Sequence, residues 1–155
     1  MASATMTSMH LVLVLVTLAG MPAQKEGAMI ARGRFDVKTT PQPQDDAAAG
    51  PFGRLFLAKQ FHGDIEGSGQ GQMLGSQTPD GSGGYVALEQ VSGTLQGKQG
   101  SFVLQHKGTM RKGGSFVIDV TVVPDSGTGE LVGISGKMTI RIEGRDHFYE
   151  LEYSI

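Results

Sequence analysis

Residues 85–110 read YVALEQVSGTL, QGKQ and GSFVLQHKGTM, two runs of alternating character joined by a glycine-led turn. Alternation with period two does not suit a helix, whose buried face repeats every three to four residues, and it makes each run a strand with one covered face. No other stretch limits the fold of this chain as strongly. A two-residue loop at Gly97-Lys98 predicts a type II′ hairpin, because glycine supplies the φ > 0 that the first central position needs. That loop sets Gln96 opposite Gln99, Val91 opposite Leu104 and Glu89 opposite His106. Phe102, Leu104, His106 and Gly108 then share the interior face, so a carboxylate and an imidazole are expected to meet inside a β structure.

The same period recurs along the chain. Residues 30–39, 53–61, 64–74, 115–123, 137–143 and 147–154 bring the number of expected strands to eight. The links are 40–51, with three prolines, 76–84, with Pro79-Asp80-Gly81, 111–114, 125–136, with one helical turn, and Gly144-Arg145. Eight strands joined mostly by short links predict an all-β fold, an eight-stranded antiparallel barrel closed on itself to remove its edges, with a sandwich as the alternative. Segment 115–123 is apolar on both faces apart from Asp119, which calls for a partner chain or a loop over its outer side. A length of 155 residues allows one domain, taken as residues 29–155.

Residues 1–28 stand apart. The run LVLVLVTL at 11–18 suits the apolar core of a secretory signal and is too short for a membrane span. Residues 1–28 are therefore expected to be a signal peptide or a disordered extension. A signal peptide makes the domain secreted or periplasmic, and a start at Met29 makes it cytoplasmic.

Several functions are disfavoured. A net charge of −2 with no basic run gives no footprint for nucleic acid. The chain has no cysteine, and its four histidines occur singly, so no metal site or cofactor is expected. The serines lack the GxSxG context of an activated hydroxyl. Gly67, Gly69 and Gly71 are spaced GxGxG with no helix pattern after them, so the phosphate-binding reading fails. Those glycines instead share a strand face with Ile65 and Met73. Inside a barrel, missing side chains of this kind, together with Ala87, Gly93 and Gly108, leave volume for a ligand cavity. Tyr85, Phe102, Leu104, His147 and Tyr149 are expected to line it. Lys59 interrupts the apolar face of 53–61, and its direction stays open.

Glu89 and His106 are the candidate chemistry. Burial raises the pKa of a carboxylate, whereas pairing with a cation lowers it. A raised value would suit proton transfer in an isomerase or cyclase. A satisfied polar pair that fixes strand register is the structural reading.

Laid out as strands, the chain resembles the bacterial domain-of-unknown-function 3224 family, whose members share an allene oxide cyclase-like, or dirigent-like, barrel. The resemblance is carried by Phe61-His62-Gly63-Asp64-Ile65-Glu66-Gly67, by Gly100-Ser101-Phe102-Val103-Leu104-Gln105-His106, and by Val122-Val123-Pro124-Asp125-Ser126-Gly127-Thr128-Gly129-Glu130-Leu131. Gly127-Thr128-Gly129, with Gly133 and Gly136, is also similar to the glycine motif of plant dirigent proteins and allene oxide cyclases. The resemblance implies an eight-stranded barrel with an apolar interior, often oligomeric, and no established activity. The asparagine-held water that allene oxide cyclases use has no counterpart, because this chain contains no asparagine.

Three functions follow. One is a module that binds a small apolar or amphipathic ligand. Another is an isomerase or cyclase with Glu89 and His106 as acid and base. The last is a homo-oligomeric interaction protein with a filled barrel, associating through Val86, Leu88 and segment 115–123.

Overall fold

The computed structural model describes residues 27–43 and 50–155. The signal-peptide and extension readings fall almost wholly on residues 1–26, outside the described residues. Each alternating run forms a strand: β1 (Met29–Gln42), β2 (Gly53–Gly63), β3 (Ile65–Gln77), β4 (Gly83–Leu95), β5 (Lys98–Met110), β6 (Phe116–Val122), β7 (Ser135–Glu143) and β8 (Asp146–Ser154). They pair in chain order, all antiparallel, and β8 returns to β1, so the sheet closes into a barrel. A single 3₁₀ turn, Gly129–Leu131, lies in the connection from β6 to β7.

The hairpin differs from expectation at its tip. Leu95 pairs with Lys98, so the loop is Gln96-Gly97 and not Gly97-Lys98. Both loop residues have positive φ, +47° and +82°, which is the type I′ pattern. The twist of that turn matches the twist of the strands it joins, and this outweighs the cost of a left-handed glutamine, about 1–2 kcal/mol. The glutamine side chain also offsets that cost. Its amide donates to Ile30 O at 3.0 Å, and its Oε1 accepts from the Tyr153 hydroxyl at 2.8 Å. The register consequently moves by two residues: Val91 faces Phe102, Glu89 faces Leu104 and Ala87 faces His106. A shift of two keeps every side chain on its predicted face.

β6 covers only part of β5, pairing from Leu104 to Met110. Beyond it, the connection to β7 takes over with side chains. Ser126 Oγ accepts from Val103 N–H at 3.0 Å, Thr128 Oγ1 from Ser101 N–H at 3.0 Å, and Glu130 Oε2 from Gln99 N–H at 2.8 Å. Alternate residues of the loop thus satisfy alternate donors of the strand, and the edge is sealed. Gly127 is required between them, because a Cβ there would run into the carbonyl of Leu131.

The two ends of the barrel differ. At the end where β1 begins, Ala31, Phe61, Ile65, Leu95 and Tyr153, with Leu131 and Ile134 from the loop, are all buried. At the other end the inward-facing Val37, Met110, Phe116 and Ile142 are between 37 % and 45 % exposed. One end is sealed and the other is an apolar mouth.

Candidate functional site

Between the mouth and the sealed end lies a cluster of charge. β4 contributes Glu89, fully buried at 0 % exposure; β2 contributes Lys59 at 8 % and β5 His106 at 3 %. Lys59 Nζ donates to Glu89 Oε2 at 2.7 Å. His106 Nε2 lies 3.0 Å from the same oxygen, without the alignment of a hydrogen bond. Glu89 and His106 are therefore diagonal neighbours across the hairpin, not a directly opposed pair. Phe35 covers Lys59, with Nζ 4.5 Å from its ring centroid, and His147 stacks on that same Phe35 ring with the centroids 5.1 Å apart. A cation beside an aromatic face and a carboxylate is held by both.

Burial alone would raise the Glu89 pKa. The contact with His106 and the charge and hydrogen bond of Lys59 together outweigh burial, and the carboxyl is held below its ordinary range. Glu89 is accordingly a carboxylate at neutral pH. Its Oε1 has no hydrogen-bond partner among the described residues.

The glycine face of β3 turns inward as the alternation predicts, but the volume it lacks is taken. A Cβ on Gly69 would meet Glu89 Oε1; on Gly67 it would meet Ser92 O, and on Gly71 Leu88 O. Gly69 makes room for the carboxylate, while Gly67 and Gly71 let β4 approach closely. The remaining space lies higher, at the mouth, where Leu55, Met73, Gly75, Gly83, Tyr85 and Met110 line an open depression of about 550 Å³. Larger depressions lie on the outer wall, one of about 660 Å³ around Arg34 and Phe148 and one of about 700 Å³ around Leu74 and Leu88.

The other expected lining residues separate by level. Tyr85 stands at the mouth, its ring over Gly108 and 6.2 Å from that of Phe116. Burial, and then the charge of Glu89, raise its pKa. His147 is also on the mouth side of the cluster, whereas Phe102 and Leu104 are wholly enclosed core residues. Tyr149 belongs to the sealed half: its hydroxyl accepts from Ile65 N–H at 2.7 Å, and burial pushes its pKa to about 12. Asp119 points outward, between Lys107 and Lys137 at 3.1 Å each. Lys59 is the residue of the buried ion cluster that sequence reasoning left open. Its parity with Leu55, Leu57 and Phe61 was the available signal, since an inward lysine requires a buried anion.

Among the described residues, no group of three or more His, Cys, Asp or Glu could hold a metal ion, and no helix is long and apolar enough to cross a membrane. These features define a small closed antiparallel barrel with an ion cluster in its interior and one apolar mouth. The chain belongs to the DUF3224 family, described as a protein of unknown function, whose model matches residues 31–153. It is similar to the crystal structure of a DUF3224 protein with unknown function from Shewanella oneidensis MR-1. Their sequence identity is 46%, with a TM-score of 0.74 over 83% of this chain and 98% of that one. No functionally curated protein matches.

Proposed function

We propose that this protein is a binding module that holds a small apolar or amphipathic molecule in the barrel mouth. The observation that carries the proposal is the asymmetry of the barrel ends: side chains of the same inward parity are buried at one end and form an exposed apolar rim at the other. Exposed apolar residues gathered around a concavity favour an apolar occupant. A ten-carbon chain gains about 0.8 kcal/mol for each buried CH₂ before the cost of ordering it, which suits micromolar to millimolar binding.

Holding is favoured over proton transfer. A general acid or base works best with a pKa near the operating pH, and Glu89 is shifted away from that range. The isomerase or cyclase reading would need a substrate that displaces Lys59. Kinship with allene oxide cyclase-like barrels is part of the same proposal, supported by the closed eight-stranded topology and by the Gly127-Thr128-Gly129 seal. Self-association is inferred for the outer wall, where Leu74, Val86, Leu88 and Val117 are exposed. Light scattering behind a sizing column checks it, and a monomer at high micromolar concentration counts against it.

The binding proposal is tested by amide and methyl NMR of the full chain during titration with medium-chain amphiphiles. Saturable shifts are expected at Tyr85, Met110, Phe116 and Ile142. Shifts confined to the outer wall, or none at the solubility limit, overturn it.

A further inference from the structure

We propose that the mouth selects an uncharged amphiphile whose head group is a hydroxyl, an alcohol or a phenol, donating its hydrogen to Oε1 of Glu89. The inference rests on the binding reading above and adds to it the chemistry of the head group. It begins with a carboxylate oxygen of the cluster that has no hydrogen-bond partner among the described residues, as is also true of His106 Nε2 beside it. Glu89 is fully buried and Oε2 is engaged by Lys59, while Oε1 is unpartnered among the described residues. An ionised carboxylate only accepts hydrogen bonds, so the group that satisfies it has to be a donor. That requirement excludes ethers, esters, ketones and carboxylate anions.

Charge balance narrows the donor. Lys59 and Glu89 form one cation and one anion in contact, and the pair is neutral as a unit. A protonated amine would bring a second cation beside Lys59 into the same low-dielectric space, and a carboxylate a second anion beside Glu89. A hydroxyl adds a charge-assisted hydrogen bond with no net charge.

The approach to Oε1 from the mouth follows β3 and is closed in this structure, so the head group enters only as Met73 swings aside. From the rim downward, the inward positions on that strand are Gly75, Met73, Gly71 and Gly69, and Oε1 occupies the space beside Gly69. Met73 is the one side chain in that column. It is half-buried, unbranched and able to change rotamer at little cost. The depression at the mouth opens on Gly75 and Met73, directly above this column.

The experiment titrates the full chain with 1-octanol, octyl methyl ether, octanoate and octylammonium, read by NMR shifts at Tyr85 and Met73 and by calorimetry. The alcohol is expected to bind about tenfold tighter than the ether, a ratio typical of one buried hydrogen bond to a charged group. Both ions should bind more weakly than the alcohol. In Glu89→Gln, Lys59 loses its counter-charge, and the preference should reverse toward octanoate. Where that variant does not fold, Lys59→Met/Glu89→Leu removes both charges together, and its alcohol-to-ether ratio should fall to about one. Equal affinity for all four probes at the mouth overturns the head-group inference and leaves the binding reading standing. No shift at the mouth with any probe overturns both.

Discussion

Lys59 is the residue on which the interior depends most sharply. Its removal leaves Glu89 as a buried carboxylate with only His106 beside it, and breaking a buried ion pair in this way typically costs about 3–5 kcal/mol. Lys59→Met should therefore lower stability by about that amount in urea denaturation, and Lys59→Met/Glu89→Leu should recover most of the loss. Gly69→Ala drives a methyl into Glu89 Oε1 and should also destabilise. In a Glu89→Ala background the same substitution should cost clearly less, because the clashing oxygen is gone and only the Phe61 ring edge, 3.0 Å from the added methyl, still has to yield. The pH dependence follows from the direction of the Glu89 shift. Its folded pKa lies below the ordinary value of 4.5, so the unfolded chain takes up a proton first as the pH falls. The contribution is complete above the unfolded value and is lost as pH drops through the folded one. The urea midpoint of the native chain should fall more steeply than that of Glu89→Gln below about pH 4.5. Much of this site was legible in the sequence. Alternation placed Glu89 and His106 on one interior face, whereas the direction of Lys59 stayed open although its parity matches that of Leu57 and Phe61. What the sequence could not supply was distance across the barrel, because β2 and β4 are not neighbours in the sheet.

Strands were legible at the level of elements because a period of two leaves little choice, and turns less so because several loop types share one composition. Gly97 suits the first position of a type II′ turn and the second position of a type I′ turn equally well. Strand twist decides between them, and twist is a property of the formed sheet. The error was an even number of residues, so the interior residues kept their identity while their partners changed. The connection 125–136 hid its purpose in the same way. Ser126, Thr128 and Glu130 alternate with small or glycine residues, yet their role as acceptors for β5 depends on β6 ending early. Thr128→Val keeps the shape and removes the acceptor for Ser101 N–H. It should cost about 1–3 kcal/mol and hasten hydrogen exchange at the Ser101 amide, with exchange in β3 unchanged.

For the whole molecule, the closed ring was legible from the number of strands and the shortness of their links, whereas the difference between its two ends was not. Residues of one parity and similar character, such as Leu95 and Met110, are enclosed at one end and exposed at the other. The cause is the long-range placement of Tyr153, Gln96 and the 125–136 connection over a single opening. The ring is also uneven around its circumference. Across the seam between β6 and β7 the ladder consists of two pairs, Val120 with Met138 and Thr121 with Lys137. Asp119 bridges that seam from outside, touching Lys107 on β5 and Lys137 on β7. Contacts to those lysines, despite the opposing effect of partial burial, hold its pKa below the ordinary range. Exposed ion pairs are screened by salt. Exchange of the Val120 and Met138 amides should therefore quicken several-fold in Asp119→Asn, or in the native chain at 1 M salt. The barrel is thus a hoop laced by backbone, with its shortest lacing at this seam and an electrostatic clasp added over it. On the rim beside it, Phe116 and Ile142 can part without breaking a rung, so any widening of the hoop begins there and is checked first by two lysines and an aspartate.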